Sequence, residues 1–261
     1  MSLDGALGRI RGTLKFMAFA GITCALSLIH FLTVPFLRLL RLHLPAARCS
    51  SRLFRSWARW VSVVLQMGIH VDGSPPQAPF VLVTNHLGYV DVVVLASLLD
   101  CVFVANADVA RWPVFGPLCR TVGTIFIDRE RKRDIPRVLQ RIQRTLGHGR
   151  GIVLFPEGTS TDGATVLRFK PSLLETAVRA RLPVSYASLT YETPPSAPPA
   201  RQSVCWWGDM TFMGHMLRLL CLPGFSARVT FGRETLEEVD RKDLASRARE
   251  AVLSQFQPVA R

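Results

Sequence analysis

The sequence predicts an α/β fold, in which a mostly parallel or mixed sheet is flanked by helices and preceded by membrane-associated helices at the N-terminus. Short apolar runs rich in β-branched residues alternate with longer segments whose apolar residues have helical spacing. Three of the short runs end in unusual polar residues, at His86, Arg129 and Glu157. Polar residues at strand ends are expected when a site lies along the carboxyl ends of the strands of an α/β sheet.

The composition suits a membrane-associated protein with anionic partners. The 261 residues, 49% of them hydrophobic, are enough for one large domain or a domain with an appendage. The 32 basic residues against 19 acidic ones give a formal net charge of +13, which favours anionic lipid, nucleic acid or an acidic protein as a partner. The basic residues form no recognised nucleic-acid-binding motif, so we expect no nucleic acid. Six cysteines without a CxxC pair indicate reduced thiols in a protein that faces the cytosol.

Residues 16–37 are the most apolar segment of the chain. They carry no formal charge and are long enough to reach across a bilayer core. His30 and Pro35 weaken a simple spanning helix, and basic residues on both sides favour a segment that enters and leaves on one face. Spanning the bilayer and lying in one leaflet both stay open.

A second membrane signal follows in residues 51–71. Arginines lie beside Trp57 and Trp60, which is typical of an interfacial helix, and an ordinary core-packing helix is the alternative. We therefore expect residues 1–72 to form a membrane-anchoring helical segment and residues 73–261 to form the α/β domain.

A predicted strand-to-helix turn holds the first candidate catalytic pair. The strand is Phe80 to Val83, Asn85 and His86 follow it, and Asp91 opens a helix as its N-cap residue. Residues five apart on a continuous helix point away from each other, whereas a turn with Gly88 can bring His86 and Asp91 together. A carboxylate bonded to one imidazole nitrogen fixes the tautomer and leaves the other nitrogen as a base. The pattern favours a general base that activates a substrate hydroxyl, and a hydrogen-bonded structural histidine is the alternative.

The rest of the chain is predicted to alternate strands and helices, with breaks at proline and glycine. The predicted elements are a helix at 92–99, a strand at 101–105, a break at 112–117, a strand at 123–129, a helix at 130–146, a strand at 151–155, a helix at 172–180, a strand at 183–190, an irregular loop at 191–201, a strand at 203–207 and an outer helix at 234–256.

Four segments together resemble, in order and spacing, the four sequence blocks of the glycerolipid acyltransferase family. They are Asn85-His86 with Asp91 five residues after the histidine, Gly123 to Arg129, Phe155-Pro156-Glu157-Gly158-Thr159-Ser160, and Leu182-Pro183-Val184. The resemblance covers roughly residues 75–235, and within the family the chain is most similar to the bacterial 1-acylglycerol-3-phosphate (lysophosphatidate) acyltransferases.

The resemblance implies a membrane enzyme with a single acyltransferase domain. Such an enzyme moves a fatty acyl group from the thioester of acyl-CoA or acyl carrier protein to the free hydroxyl of a lysolipid, here 1-acylglycerol-3-phosphate, which becomes phosphatidic acid. We expect no metal, because the histidines are scattered and no HExxH motif occurs, and no cofactor besides the acyl donor. The expected location is the cytoplasmic face of the inner (plasma) membrane. Residues 210–222 are rich in Met and Leu, and they either cover an acyl chain or pack in the core.

The resemblance also assigns roles residue by residue. His86 is implied to be the general base and Asp91 its partner. The implied substrate-binding residues are Asn85, Arg129, Glu157, Gly158, Thr159, Ser160 and Lys170, with Pro183 shaping the acyl or acceptor pocket. A guanidinium suits a phosphate because it binds two of its oxygens at once. The alternatives are a surface salt bridge for Arg129 and turn chemistry for Glu157 and Gly158.

One position departs from the family pattern. Members often carry a lysine where this chain has Asn106, before the Trp-Pro-x-Phe-Gly segment. Lys170 and Arg168 are the cations that would replace it, and lyso-ornithine lipid is the near alternative acceptor. A hydrolase is disfavoured because the chain has no G-x-S-x-G motif, and a non-catalytic protein that binds lipid surfaces is the alternative from another class.

Overall fold

Seven strands form one sheet, in the order β1-β7-β6-β2-β5-β3-β4, in the computed structural model, which describes residues 3–113, 115–127 and 135–259. The strands are β1 (Met67–Asp72), β2 (Val81–Thr84), β3 (Cys101–Asn106), β4 (Ile125–Ile127), β5 (Gly151–Leu154), β6 (Val184–Glu192) and β7 (Phe225–Phe231). All neighbouring strands are parallel except β6 and β7, so the predicted mostly parallel or mixed sheet is confirmed.

Helices cover both faces of the sheet. They are α1 (Leu3–Leu39), α2 (His43–Leu65), α3 (Val90–Leu98), α4 (Phe115–Thr121), α5 (Ile135–Gly147), α6 (Pro171–Arg179), α7 (Ala200–Ser203), α8 (Phe212–Cys221) and α9 (Arg241–Gln255), with a 3₁₀ turn at Ala107–Arg111. One apolar core joins the sheet to α2, α3 and α8, and the other joins it to α5, α6 and α9. Every residue of β2 and β5 is buried, which explains why these strands are continuous apolar runs.

Helix α1 lies along α2, and α2 lies against the α/β domain. The Trp57 indole N–H donates to Thr23 Oγ1 at 3.0 Å, and His30 Nε2 lies 3.1 Å from Ser50 Oγ. Lys15 Nζ donates to the backbone carbonyls of Leu65, the last residue of α2, and Leu222, the residue after α8. Within the described residues, α1 is the one helix long and apolar enough to cross a membrane, judged by length and composition. Its apolar side chains are largely exposed.

Two predicted elements are wrong. Residues 51–71 are not one helix, because α2 ends at Leu65 and Gln66 adopts the left-handed conformation (φ 55°) that turns the chain into β1. The sheet therefore begins at Met67, inside the segment assigned to the membrane anchor. Residues 203–207 are not a strand, because Ser203 ends the short helix α7 and the backbone N–H groups of Val204 and Cys205 donate back to the Ala200 carbonyl.

Besides β1, a second strand, β7, was missed in the sequence. β7 had no predicted element, although its residues alternate between buried and half-buried along its length. That alternation is the pattern of a strand with one side against the core.

Candidate active site

The strand order brings two of the predicted polar segments together. β2 and β5 are parallel neighbours, with Val83 paired to Leu154, so the residues that follow them meet at the carboxyl ends of the strands. The backbone N–H of His86 donates to Glu157 Oε1 at 2.7 Å. A site between these two loops was expected from the strand ends, and the geometry places His86 and Glu157 in direct contact.

The turn after β2 places the His86 imidazole against the Asp91 carboxylate. Nδ1 of His86 lies 2.7 Å from Oδ2 of Asp91. The same oxygen accepts the backbone N–H groups of Leu87 at 2.7 Å and Gly88 at 3.1 Å. Asp91 is fully buried, whereas 22% of the His86 side chain is exposed. The pair therefore has a sealed acid end and an accessible imidazole end.

The local backbone explains this geometry. Gly88 has φ +152°, and a Cβ there would lie 3.0 Å from the backbone nitrogen of Trp206. A larger residue there would have a strained backbone conformation, and its side chain would also crowd Trp206. The helix after the turn is α3, which begins at Val90. The predicted N-cap role of Asp91 is wrong, because its carboxylate faces back to the turn rather than forward along the helix.

A fourth donor to Asp91 comes from a distant part of the chain. The Tyr191 hydroxyl donates to Asp91 Oδ1 at 2.6 Å, and both side chains are buried. Burial, followed by the negative charge of Asp91, raises the pKa of Tyr191 well above its usual value. The phenol therefore stays protonated and keeps donating. This residue was missed in the sequence because it lies 100 positions from Asp91, in a stretch that reads as a loop.

Asn85 fastens the start of the turn to β6. Its amide Nδ2 donates to the Leu189 carbonyl at 2.9 Å, and its Oδ1 accepts the Leu189 backbone N–H at 2.7 Å. The side chain is 1% exposed. Asn85 thus uses its amide on backbone groups and faces the protein interior rather than a substrate.

Glu157 is buried as well, with 2% of the residue exposed. Its second oxygen, Oε2, accepts the backbone N–H of Leu167 at 2.9 Å. Burial raises the pKa of Glu157 to about 7, against the lowering effect of the backbone N–H groups of Leu167 and His86. The carboxylate joins the His86 turn to the loop before α6, and its burial means that it does not line an open pocket.

The outer loop, residues 156–170, carries the exposed polar groups. Gly158 has φ +76°, Thr159 and Lys170 are exposed, and Ser160 is half-buried. The backbone N–H of Thr161 donates to the His86 carbonyl at 2.9 Å, which joins this loop to the turn after β2. These residues form the rim of the site.

Two predicted site residues are not placed beside His86. Arg129 lies outside the described residues. Pro183 precedes β6 and, since Val184 pairs with Val81, it lies at the amino end of the sheet, roughly 20 Å along the strands from His86. It lines a cavity of about 330 Å³ there, so the structure does not bring Pro183 to the pocket it was expected to shape.

A series of aromatic contacts connects His86 to the N-terminal helices. The His86 imidazole stacks on Phe155, with ring centroids 4.1 Å apart and planes 21° apart. Successive ring contacts then lead from Phe155 through Phe103, Phe54 and Trp57 to Phe19, with centroid distances of 5.7–6.4 Å. The imidazole is therefore in continuous apolar contact with α2 and α1.

Metal chemistry has no evident ligand set in the part of the chain described. No group of three or more His, Cys, Asp or Glu side chains there could hold a metal ion.

Comparison with known proteins identifies the family of this chain. The family model described as Acyltransferase matches residues 68–189. The chain belongs to this family, as its similarity to a lyso-ornithine lipid O-acyltransferase of Pseudomonas aeruginosa shows. The two are 31% identical over 221 residues, which are 82% of this chain and 83% of that relative.

Other relatives carry two names. A lyso-ornithine lipid O-acyltransferase of Rhizobium meliloti is 34% identical over 190 residues, 68% of this chain and 65% of that protein, slightly under two thirds of its length. A 1-acyl-sn-glycerol-3-phosphate acyltransferase of Neisseria meningitidis serogroup B is 27% identical over 198 residues, 74% of this chain and 76% of that one. The homologues are thus O-acyltransferases named for lysolipid acceptors.

The fold has a solved counterpart. The crystal structure of the 1-acyl-sn-glycerophosphate (LPA) acyltransferase PlsC from Thermotoga maritima matches with a TM-score of 0.66 and 19% identity, over 97% of this chain and 100% of that one. This likeness confirms the predicted α/β fold.

Proposed function

We propose that this protein transfers a fatty acyl group from a thioester to the free hydroxyl of a lysolipid, with His86 as the general base. The observation that carries this proposal is the 2.7 Å contact between His86 Nδ1 and a fully buried Asp91 carboxylate. Asp91 accepts three further hydrogen bonds, from Leu87, Gly88 and Tyr191, so it is held as an ionised acceptor. Nδ1 therefore carries the imidazole proton, and Nε2 has the free lone pair of a base.

The reaction that suits this geometry is direct transfer. His86 Nε2 takes the proton of the acceptor hydroxyl while its oxygen attacks the thioester carbonyl. The new ester C–O bond forms, the C–S bond breaks, and the departing thiolate receives the proton from the His86 imidazolium. The products are the diacylated lipid and the free thiol.

An acyl-enzyme intermediate has little support in the site. Across residues 3–113, 115–127 and 135–259, no serine, threonine or cysteine side chain is hydrogen-bonded to the His86 imidazole. A serine or cysteine hydrolase needs such a contact between its nucleophile and its base. The substrate's own hydroxyl fills that role in this proposal.

For the acceptor, we propose lyso-ornithine lipid. Relatives named for that acceptor are 31% and 34% identical over 82% and 68% of this chain. Relatives named for 1-acyl-sn-glycerol-3-phosphate are 27% identical over 74% of it, or 33% identical over only 42% of it. Asn106, where a lysine was expected, supplies no cation, and its side chain instead accepts the backbone N–H of Asp108 at 3.3 Å and caps the 3₁₀ turn. A phosphate-bearing headgroup would find fewer positive charges here than in a site with that lysine.

1-Acylglycerol-3-phosphate is the second candidate acceptor. Arg168 and Lys170 are exposed on the rim loop and are the described cations that follow Glu157 most directly. A dianionic phosphate has the charge to use both.

Separate reactions with each candidate acceptor test which one the protein prefers. The purified protein in detergent receives labelled acyl-CoA or acyl carrier protein with lyso-ornithine lipid, with 1-acylglycerol-3-phosphate, or with no acceptor, and both lipid product and free thiol are measured. We expect diacylated product with equal thiol release, and a higher kcat/KM for lyso-ornithine lipid. A preference for the phosphate-bearing acceptor would reverse the acceptor assignment. Thiol release without an acceptor would identify a hydrolase. If no thiol were released in any reaction, the protein would be a lipid-binding protein without activity.

We further propose that α1 lies in one leaflet, on the cytoplasmic face. The support is its position along α2 through Trp57 and His30, while Arg55 and Arg59 of α2 donate to backbone carbonyls at the end of α3. A helix held beside the catalytic domain in this way has both ends on one side.

Single cysteines test this arrangement in a cysteine-free background. Gly8→Cys and Leu40→Cys lie near the two ends of α1, and both positions are open to solvent. A membrane-impermeant maleimide should label both variants in inverted inner-membrane vesicles and neither in intact spheroplasts. Labelling of one variant from each side would show that α1 spans the bilayer instead.

A further inference from the structure

Tyr191 is the buried hydroxyl nearest to the catalytic pair. It lies near the end of β6 and donates to Asp91 Oδ1 at 2.6 Å. The ring packs edge-on against Phe225 with 6.0 Å between centroids, and the residue is 1% exposed. A phenylalanine would fill the same space, so packing alone does not account for the hydroxyl.

The two oxygens of Asp91 have different partners. Oδ2 accepts His86 Nδ1 and two backbone N–H groups, whereas among the described residues only Tyr191 donates to Oδ1. A carboxylate that accepts several hydrogen bonds has its negative charge spread over the donors, and it becomes a weaker base. The hydroxyl therefore acts on the same carboxylate that holds the imidazole.

We infer that Tyr191 is a positioning residue for the acyl transfer, which acts through Asp91 to keep the shared proton on His86 Nδ1 and to limit how strongly Asp91 holds the imidazolium. A base must release the proton it takes, and an over-basic carboxylate would retain it on the imidazole. The inference rests on the proposed role of His86. It extends the pair to a chain of three side chains, His86, Asp91 and Tyr191.

The charge state of the phenol agrees with this role. Burial and the charge of Asp91 both oppose ionisation of Tyr191, so it donates throughout the working pH range. A residue that stays neutral tunes its neighbour without adding a titration of its own.

The first experiment needs no substrate. Diethyl pyrocarbonate reacts with neutral imidazole, and peptide mass spectrometry measures how fast it modifies His86 at each pH. The pH at which this rate is half its maximum, the half-reaction pH, reports how strongly the site holds the imidazolium. In Tyr191→Phe, we expect the half-reaction pH of His86 to move up by about 0.5–1 unit, because Asp91 has lost a donor and holds the imidazolium more strongly. Tyr186→Phe is the matched control, since Tyr186 lies on the same strand at the amino end of the sheet. It should leave the half-reaction pH unchanged.

A second variant reverses the sign. 3-Fluorotyrosine introduced at position 191 keeps the ring and the hydroxyl but makes the phenol a stronger donor. The half-reaction pH of His86 should then move down. This substitution also keeps the inference open to contradiction if Tyr191→Phe is obtained only in unfolded form.

The kinetic test uses a double-mutant cycle. In Tyr191→Phe, kcat should fall several-fold with KM unchanged, and the acid limb of the pH–rate profile should move up with the His86 half-reaction pH. In an Asp91→Asn background, the same change should have little further effect, because the carboxylate through which it acts is gone.

Three results would overturn the inference. They are an unshifted half-reaction pH in Tyr191→Phe, equal shifts in Tyr191→Phe and Tyr186→Phe, or full additivity with Asp91→Asn. Failure of the proposed function is a separate result, because it would abolish acyl transfer in the wild-type protein while leaving the His86 modification profiles comparable.

Discussion

The inner and outer sides of the site differ in what their polar groups contact. On the inner side, Asn85, Asp91 and Glu157 are at most 2% exposed, and each uses its side-chain oxygens on backbone N–H groups or on His86 and Tyr191. On the rim, Arg168 and Lys170 are exposed. In the proposed reaction this difference separates two tasks, since the inner residues would hold His86 in place and the rim would contact the headgroup. Changes on the inner side should therefore lower kcat, and changes on the rim should alter KM and acceptor preference.

Replacing the base itself should have the largest effect. In His86→Ala, kcat should fall by roughly 10²–10⁴-fold, the usual contribution of a general base. Product formation measures this loss, and circular dichroism together with the melting temperature checks the fold. Near-normal transfer by a folded His86→Ala protein would remove the catalytic role assigned to the inner side.

Replacing the partner of the base should have the next largest effect. In Asp91→Asn, an amide can no longer accept from four donors as a carboxylate does, and it can present an N–H to His86 in place of an acceptor. We expect kcat to fall by about 10²-fold or more with KM within threefold of wild type. Asp209→Asn, on an exposed turn, is the matched control and should retain full activity. A large rise in KM with unchanged kcat would place Asp91 in substrate binding.

Glu157 should show a smaller loss of the same kind. Both of its oxygens accept backbone N–H groups, so Glu157→Gln turns one of those contacts into two facing donors. The lost contact costs about 1–3 kcal/mol, so we expect a loss of stability and a decrease in kcat on the order of tenfold. If Glu157 instead contacted a headgroup phosphate, the change would raise KM for the phosphate-bearing acceptor with little change in kcat.

Glu157 should also make the stability of the fold depend on pH. Its pKa is raised to about 7 in the folded protein, from the usual 4.5. The folded state then binds more protons than the unfolded state between about pH 4.5 and 7, so this residue lowers stability as pH rises through that range. The melting temperature of Glu157→Gln should therefore fall less than that of the wild-type protein as pH rises from about 4.5 to 7. Glu192→Gln, at an exposed glutamate, should keep it. If the melting temperatures of the wild-type and Glu157→Gln proteins changed equally with pH, the pKa of Glu157 would not be raised in the folded protein.

The inner side was only partly readable in the sequence, for a physical reason. The strand-to-helix turn is local, so its apolar run, its glycine and its spacing predicted that His86 and Asp91 meet. The roles of Asn85 and Glu157 depend on backbone groups of Leu189 and Leu167, and no local pattern reports them. Tyr191 reaches Asp91 from 100 positions away because β6 adjoins β2, which only the strand order reveals.

The fold was more predictable than the site. Continuous apolar runs predicted β2, β3 and β5, because a strand that is buried on both faces of the sheet consists largely of apolar residues. β1 was missed since nothing but the left-handed residue Gln66 separates it from α2. Pro183 matches the fourth sequence block in its order along the chain. It precedes β6, however, and therefore lies at the amino end of the sheet, away from His86.

The rim should respond least, and in a different parameter. The double variant Arg168→Ala and Lys170→Ala removes both exposed cations of the loop that follows Glu157. We expect kcat to stay within twofold of wild type, because neither side chain contacts the base.

The change should instead raise KM for 1-acylglycerol-3-phosphate several-fold, in a salt-dependent way, because exposed charges contribute about 1 kcal/mol or less each and are screened by salt. KM for lyso-ornithine lipid should change less, because its headgroup has no phosphate. Arg233→Ala is the charge-matched control, since this exposed arginine lies beside the cavity at the amino end of the sheet. A fall in kcat in the rim variant, or an equal rise in KM in the Arg233 control, would mean that the rim and the inner side do not divide binding from catalysis.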